Sequence, residues 1–418
     1  MPTYTAPGIY IEEVAGGARP IEAVGTSTAG FVGVAPAPEA HVGEVRGING
    51  WAQFVREFVT DEGESTPLSH AVFGFFLNGG SRCYVVNVGA GQAIMGGGRK
   101  RTGLGLLEEI DEVAIVAAPG YTDAASYDAL LTHCETLKDR VAILDAPAEV
   151  TVLNRLTEVA TASPERSARR EEKEENADGG ETDGGGAGGA GLRPRQSDGG
   201  YGAFYFPQIT VRDPLSPDAD LVNIPPSGHL AGIYARTDAT RGVHKAPANE
   251  VVRGALNVTY RLTRAEQGEL NQLGVNCIRL FGREGVRVWG ARSLAASSSE
   301  WRYISVRRLF NMIEESIVES TRWIVFEPND QTLWKSIRRD VGAFLTRLWR
   351  DGALMGSTSE EAFFVKCDEE TNPPEVIDAG MVVTMIGIAP VKPAEFIVFR
   401  ISQYRGGAEV ETEEEIHA

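Results

Sequence analysis

The sequence is poor in cysteine and in basic charge, and each shortage argues against a class of protein. Its four cysteines, Cys83, Cys134, Cys277 and Cys367, lie far apart in 418 residues and form no CxxC pair. A disulfide framework or a zinc site is therefore not expected. The formal net charge is −18. Direct binding to nucleic acid is not expected either, because neutralising phosphates requires clustered lysine and arginine.

Long apolar runs are also missing. No stretch approaches the roughly 18 consecutive apolar residues that a membrane-spanning helix requires. The opening segment MPTYTAPGIYIEEV lacks the basic and apolar regions of a secretory signal. We therefore expect a protein that is made and folded in the cytoplasm and is not stably inserted in a membrane.

The compact motifs of common enzymes are absent as well. The sequence has no GxxxxGK[ST] phosphate loop, no HExxH and no GxSxG, and its six histidines are scattered. The segment VGAGQAIMGGG approaches a dinucleotide-binding loop, but Ile94 stands where the third glycine is required. We expect no enzymatic activity, no cofactor and no metal. Catalytic residues that converge from distant positions leave no such local trace, so a dispersed site stays open as an alternative.

One short segment, TDATRGVHK, is rich in chemically active side chains. It places Asp238, Arg241, His244 and Lys245 within eight residues. No nucleophile or metal-ligand pattern accompanies them. We therefore interpret the segment as a salt-bridged loop or a contact between subunits rather than as a catalytic site.

Residues 28–156 alternate strand and helix patterns. TAGFVGVAP and SRCYVVNVG have the composition of buried strands, and NGWAQFVREFV places Trp51, Phe54, Val55 and Phe58 on one helical face. DEVAIVAAPG, SYDALLTHCETLKD and RVAILDAP then follow as strand, helix and strand. This order predicts a parallel crossover and an α/β domain.

Residues 161–200 interrupt that pattern with an acidic, glycine-rich segment that has almost no apolar residues. Such a segment cannot bury enough surface to offset the entropy of ordering it, so we expect a disordered insertion on the outer surface. Its glycine run indicates a flexible linker rather than a phosphate-binding loop, because no strand leads directly into it.

Beyond the insertion, the pattern changes to α+β. WRYISVRRLFNMIEESIVESTRW and DQTLWKSIRRDVGAFLTRLWRDGAL carry apolar stripes of helical period, with Asp330 as N-cap and Gly352 as stop of the second helix. EEAFFVKCD, GMVVTMIGIAP and AEFIVFRISQY then read as strands. The second helix carries five basic residues away from its stripe: Lys335, Arg338, Arg339, Arg347 and Arg350. They fit an acidic partner, with a solvated face or pairing to the protein's own carboxylates as alternatives.

Both ends of the chain carry strand patterns with no evident partner. The first comprises Gly8, Ile9, Tyr10, Ile11, Glu12, Glu13 and Val14, followed by the glycine pair Gly16 and Gly17, which would serve as a hinge. The second comprises Phe396, Ile397, Val398, Phe399, Arg400, Ile401, Ser402, Gln403 and Tyr404, followed by an acidic tail. An ordinary edge strand is the alternative at the N-terminal end.

Several of these segments, in order, resemble the contractile tail sheath family of phages and phage-tail-like injection systems. They are TAPGIYIEEV, PPSGHLAGIYARTDATRGVHKAPAN, LNQLGVNCIRLFGREGVRVWGARSL, WRYISVRRLFNMIEESI, VFEPNDQTLWKSI, FLTRLWRDGALMG and GIAPVKPAEFIVFRISQ. The similarity spans most of the chain outside residues 161–200.

The resemblance implies a multidomain subunit of α/β plus α+β class. The expected parts are an N-terminal arm and hinge (1–22), an outer α/β domain with the insertion (23–240), an inner α+β domain (241–395), and a C-terminal strand arm with the acidic tail (396–418). In this family, both arms add strands to a sheet in neighbouring subunits.

The resemblance also implies a function and a set of partners. The chain would polymerise helically around an inner tube and contract, driving the tube through a target envelope. Its partners would be further copies of itself, the inner tube protein, and baseplate and terminal cap proteins, with the five basic residues as candidate tube contacts. The particle would be assembled in the cytoplasm and then remain there, be released, or form part of a virion. The alternatives are a small-ligand-binding α/β enzyme that uses the region around Gly89 or Asp238, and a specialised non-contractile sheath paralogue.

Overall fold

The computed structural model of the chain describes residues 20–60, 63–95, 101–161 and 191–399. In these ranges the strands are β1 (Ala29–Gly33), β2 (Val45–Ile48), β3 (Cys83–Asn87), β4 (Ile115–Ala117), β5 (Val141–Asp145), β6 (Gly202–Phe206), β7 (Ile209–Arg212), β8 (Leu221–Ile224), β9 (Asn257–Val258), β10 (Val275–Phe281), β11 (Gly285–Trp289), β12 (Phe363–Lys366) and β13 (Met385–Ile388).

The helices in the same ranges are α1 (Trp51–Phe58), α2 (Pro67–Asn78), α3 (Ala124–Leu137), α4 (Ser227–Arg241), α5 (Arg264–Gln272), α6 (Ile304–Ser320), α7 (Gln331–Arg350), α8 (Ser359–Ala362) and α9 (Pro374–Asp378). Short 3-10 turns occupy Leu104–Glu109, Leu153–Leu156 and Arg322–Ile324. Among these described helices, none is both long enough and apolar enough to cross a membrane.

An eight-stranded sheet organises the first two thirds of the chain, in the order β11-β10-β6-β5-β4-β1-β3-β2. The six inner strands run parallel, and β2 and β11 close the two edges in antiparallel pairing. The predicted strand, helix and strand of residues 112–147 are β4, α3 and β5, with β4 and β5 parallel. The expected α/β fold is therefore confirmed.

Each face of this sheet buries its own apolar cluster. On one face, Phe31 of β1 and Ile143 of β5 pack with residues of α2 and α4. On the other face, Val32 of β1 and Leu144 of β5 pack with residues of α3. Successive side chains of a strand point to opposite faces, so a strand buried on both sides carries a continuous apolar run, as β1, β4 and β5 do.

Helices α2 and α4 lie so close together that glycine is required between them. A Cβ at Gly74 of α2 would lie 2.1 Å from Nδ1 of His229, and a Cβ at Gly228 of α4 would lie 2.2 Å from Cα of Ala71. Gly228 and Gly232 are four residues apart and therefore share one face of α4. The sequence GHLAG thus specifies a helix pair packed nearly backbone to backbone.

A buried carboxylate fixes the start of α4 on the sheet. Asp145, at the end of β5, accepts hydrogen bonds from Ser227 N at 2.8 Å and from Ser227 Oγ at 2.6 Å. Burial raises the pKa of Asp145 to about 7, although both hydrogen bonds act to lower it. The carboxyl group satisfies a backbone donor that the helix itself leaves unpaired.

The sheet crosses the domain boundary predicted at residues 240 and 241. Strand β10 pairs parallel with β6, matching Val275 with Phe204, and β11 then pairs with β10. At this point the predicted boundary is wrong. The physical reason is that the partner of a parallel strand lies far away along the chain, so local sequence does not reveal which sheet the strand joins.

The C-terminal part builds a third apolar cluster from α6, α7 and the segment that follows them. The predicted stripe of α7 is confirmed, because its members are all buried: Trp334, Ile337, Val341, Phe344, Leu345 and Leu348. Asp330 caps the helix by accepting from Leu333 N at 2.9 Å, and Gly352 follows its end with φ of 79°.

The predicted insertion does not extend as far as residue 200 at its C-terminal side. Arg195 pairs with Asp128 at 2.6 Å and with Glu135 at 2.8 Å, and the buried Ser197 also donates to Glu135 at 2.7 Å. Residues 191–200 are therefore fixed on α3 by charge pairs, which a composition argument does not detect. The prediction for 162–190 lies outside the described residues.

Candidate strand-exchange interface

Strands β12 and β13 form a two-stranded antiparallel sheet beside α7, with Phe363 opposite Ile388 and Lys366 opposite Met385. Within the described ranges, each of these strands pairs only with the other. Each therefore keeps one edge whose backbone groups are available to a further strand. A strand added at either edge would extend the ladder of main-chain hydrogen bonds.

The two faces of this sheet differ. Phe363, Val365 and Ile388 pack against the third apolar cluster, whereas Phe364 and Met385 point away and are 56% and 52% exposed. A Cβ at Gly387 would lie 2.1 Å from the Phe364 ring, so glycine lets that ring lie on the neighbouring strand. The outer face is thus apolar as well as open at its edges.

The first part of the predicted C-terminal strand is not a strand in the single chain. Phe396, Ile397, Val398 and Phe399 are 75%, 73%, 79% and 83% exposed and have no ladder partner in the described part of the chain. A strand exists only where an edge pairs with it, and within the described residues no edge pairs with this segment. The remaining residues of both predicted strands, and the hinge glycines Gly16 and Gly17, lie outside the described residues.

The residue just before this exposed segment is held firmly. Glu395 accepts from Arg292 Nη2 at 2.7 Å, from Asn271 Nδ2 at 2.8 Å and from the Tyr303 hydroxyl at 3.2 Å. The side chains of Arg292 and Glu395 are 8% and 19% exposed. Burial acts to raise the pKa of Glu395, but the bonds from Arg292 and Asn271 outweigh it and the pKa is lowered.

The first described residues at the N-terminal side are held as well. Ile21 is buried in the third apolar cluster, and its carbonyl accepts a hydrogen bond from Arg347 of α7. Val24 N donates to Ser316 Oγ at 3.0 Å, and Glu22 N donates to Ser320 Oγ at 3.3 Å. The segment is therefore tied along α6.

The five basic residues of α7 are not one free patch. Lys335 and Arg338 line a groove with Asp368, Glu369 and Glu370 of the same chain. Among the remaining three, Arg339 pairs with Asp340 at 2.9 Å, Arg347 donates to Ile21, and Arg350 is exposed at the end of α7. One half of the helix thus faces the chain's own carboxylates.

The segment predicted as an interface loop begins inside a helix. Asp238 and Arg241 lie in α4 rather than in a loop, and the Asp238 side chain is 6% exposed, paired with Arg308 at 2.6 Å. Lys245 donates to the Ala246 carbonyl at 2.6 Å, and His244 is half-buried. The pairing of Asp238 with Arg308 agrees with the salt-bridged alternative, and the role of these residues in a contact between subunits stays a prediction.

The region around Gly89 holds a groove at the ends of β1 and β3. The side-chain amide of Asn87 lies in this groove, and both its nitrogen and its oxygen already make hydrogen bonds within the chain. Asn87 Nδ2 donates to the carbonyls of Pro38 and Ala40 at 2.9 and 2.7 Å. Asn87 Oδ1 accepts from Ala35 N and Gly89 N, both at 3.1 Å. The side chain thus holds the surrounding loops, and in the described ranges no group of three or more potential metal ligands comes together.

The sequence reasoning missed Arg292, Asn271 and Tyr303 as partners of the C-terminal segment. Their separations from Glu395 along the chain are 103, 124 and 92 residues. The one available signal was Arg292 itself, in the segment VWGARSL, because a charged residue among apolar neighbours requires a partner when buried.

Comparison with known proteins identifies two matching families. The phage tail sheath protein central domain matches residues 196–294, and the phage tail sheath C-terminal domain matches residues 296–403. The tail sheath protein of Vibrio phage KVP40 is 30% identical over 177 residues, which are 42% of this chain. The aligned part spans only about a quarter of that relative's length, 26%.

Solved structures match over nearly the whole chain. The helical sheath of the anti-feeding prophage in its contracted state has a TM-score of 0.72 and 30% identity, covering 96% of this chain and 100% of that one. The contracted sheath complex of the extracellular injection system PVC has a TM-score of 0.72 and 28% identity, covering 96% and 99%. The chain belongs to the contractile tail sheath protein family.

Proposed function

We propose that the chain is the structural subunit of a contractile sheath that polymerises helically around an inner tube. Two observations on the described residues together carry this proposal. The apolar segment 396–399 has no strand partner among them, and the small sheet of β12 and β13 keeps two edges to which none of them pairs. A strand donor and a strand acceptor in one chain allow each copy to join the next. Head-to-tail contacts of this kind generate an open helix where the rotation between copies does not close a ring.

Donated strands also explain how such an assembly changes shape without falling apart. The main-chain hydrogen bonds of an added strand stay intact while the subunit bodies change their mutual contacts. The extended arrangement would store interface free energy, and a trigger at the baseplate end would release it. The sheath would then shorten and drive the inner tube through a target envelope. We assign the chain a mechanical role and no catalytic one.

The proposed partners are further copies of this chain, an inner tube protein, and baseplate and cap proteins. The solved relatives include a baseplate and helical sheaths of the anti-feeding prophage, which supports assembly of this kind. On α7 we propose Arg339 and Arg350 as the main tube contacts, because Lys335 and Arg338 face the acidic groove and Arg347 binds Ile21. Solvent-accessible charge pairs are weak enough to break during contraction.

The setting follows from the relatives, which come from phages and from extracellular contractile particles. We propose assembly in the cytoplasm, followed by use within a phage-like or released particle. The domain division into outer and inner parts stays part of this proposal, with the outer domain extended to include β10 and β11.

The experiment is electron microscopy of three forms of the chain, each expressed alone and together with its inner tube protein. They are the full chain, a truncation after Glu395, and a control truncated after Gly407 that loses only the acidic tail. We expect helical tubes from the full chain and the control, and folded subunits without tubes from the truncation after Glu395. Deleting residues 1–18 should have the same effect.

Two results would contradict the proposal. Tubes of normal length from the chain that ends at Glu395 would show that the C-terminal segment is not a donated strand. Failure of the full chain to assemble even with the inner tube protein, while it remains folded by circular dichroism, would contradict the sheath function as a whole.

A further inference from the structure

The exposed C-terminal segment departs from a fixed point. The bonds from Arg292, Asn271 and Tyr303 meet on the two carboxylate oxygens of Glu395, and the next residue is already 75% exposed. Arg292 is itself braced, because Nη1 donates to the Asn271 carbonyl at 2.9 Å. Asn276 accepts from Arg292 N at 2.7 Å and donates to the Arg292 carbonyl at 2.8 Å. We call Glu395 and its three partners the C-terminal base.

A comparable fixed point lies at the other end of the described chain. Ile21 is 1% exposed, and the backbone of Glu22 and Val24 donates to Ser320 and Ser316. We call the segment 21–24 with these two serines the N-terminal base.

One helix joins the two bases. Tyr303, which contacts Glu395, immediately precedes α6, and Ser316 and Ser320 form the last turn of the same helix. With 17 residues, α6 is about 25 Å long. Its second turn is held to α4 by the ion pair between Arg308 and Asp238 at 2.6 Å.

We propose that Glu395 is a positioning residue that fixes where the C-terminal arm leaves the subunit, and that α6 carries tension between this base and the N-terminal base. The inference rests on the proposed sheath function. Tension applied to one arm then reaches the other along α6, although the bonds between Arg292 and Asn276 also connect the C-terminal base to β10 of the eight-stranded sheet. The displacement of one subunit during contraction is thus transmitted to its neighbours.

The length of slack that the C-terminal base prevents follows from the structure. Without the Glu395 contacts, the next fixed point is Val391, whose N donates to the Ala353 carbonyl at 3.2 Å. Residues 392–395 would then be free, and four extended residues span about 13 Å. A tether lengthened by that amount no longer transmits small displacements of a neighbour.

The first test removes the C-terminal base without touching the arm, by Glu395→Ala. Glu269→Ala is the matched control, because it removes an exposed carboxylate from α5, the helix that also carries Asn271. The mobility of a spin label at position 397 of the unassembled full chain should rise at least severalfold in Glu395→Ala, whereas the mobility of a label at the exposed position 25 should stay unchanged. Glu395→Gln, which keeps one acceptor oxygen, should give an intermediate rise.

The second test follows sheaths assembled on the inner tube. Glu395→Ala should still assemble, but at least severalfold fewer of its sheaths should reach full, uniform contraction than in Glu269→Ala. The double variant Ser316→Ala and Ser320→Ala loosens the N-terminal base and should produce the same loss. Unchanged label mobility in Glu395→Ala, or normal contraction despite raised mobility, would overturn the positioning role.

Normal contraction of the double serine variant beside a defective Glu395→Ala would overturn the transmission through α6. These results are separable from failure of the proposed function. If the unaltered chain forms no sheath on the inner tube, the sheath function itself is contradicted whatever Glu395 does.

Discussion

The ion pair between Arg308 and Asp238 provides the sharpest test of how the C-terminal part is attached. Arg308 Nη2 lies 2.6 Å from Asp238 Oδ2, Arg308 Nη1 lies 2.9 Å from Asp238 Oδ1, and the side chains are 3% and 6% exposed. Arg308 also donates to the Thr26 carbonyl at 2.9 Å, and its guanidinium lies 4.7 Å from the Tyr234 ring centre. The pair therefore joins α4, α6 and the N-terminal segment.

Removing either partner leaves the other charge buried. Breaking a buried pair costs about 3–5 kcal/mol, because the remaining charge is desolvated without compensation. We expect a loss of this size for Asp238→Ala and for Arg308→Ala separately. The double variant should lose much less than the sum of the two, because it leaves no orphaned charge. Arg101→Ala is the control, since its side chain is 52% exposed and its ion pairs are worth at most about 1 kcal/mol.

Urea unfolding of the unassembled chain, followed by tryptophan fluorescence and by circular dichroism, measures these losses. Losses below about 1 kcal/mol for both single variants, matching Arg101→Ala, would refute the reasoning from burial. Strict additivity in the double variant would equally refute it, because independent sites and not a coupled pair behave in that way.

Three further outcomes follow from the fold. Gly74→Ala should destabilise the chain by about 1–3 kcal/mol in the same unfolding assay, because its Cβ would meet His229, whereas Gly342→Ala on α7 meets nothing within 4 Å and should be neutral or stabilising. The pKa of Asp145, about 7, lies above its unfolded value near 3.9, so the folded chain binds this proton more tightly and its contribution to stability is lost as the pH rises from 4 to 7. Asp145→Asn should remove that decline from a stability profile against pH, and an unchanged profile would contradict the assignment. The lowered pKa of Glu395 has the opposite sign, so the C-terminal base should loosen as the pH falls through that lowered pKa, and the mobility of a spin label at position 397 measures it.

The features that the sequence predicted correctly are those set by neighbouring residues. The stripe of α7 and its cap at Asp330 lie within one helix, so periodicity and capping chemistry predict both. The parallel pair β4 and β5 was predictable because an intact helix separates two short apolar runs.

The features that escaped prediction depend on contacts between distant parts of the chain. The Arg308 and Asp238 side chains are 70 residues apart in sequence, and β10 joins β6 across an intervening three-stranded sheet and two helices. A charged residue in an amphipathic helix looks the same whether it faces solvent or a buried partner. For the same reason, the strand pattern from Phe396 described a tendency that the described part of the single chain does not realise.

The exposed run 396–399 has a consequence for the life of the chain before it assembles. Four consecutive apolar residues beside open strand edges form a seed for irregular aggregation. A net charge of −18 and the acidic residues that follow the run oppose this, because like charges slow the encounter of free copies over about 8 Å at physiological salt. Premature polymerisation is thereby slowed. We expect a nucleus that aligns the subunits to determine when polymerisation starts.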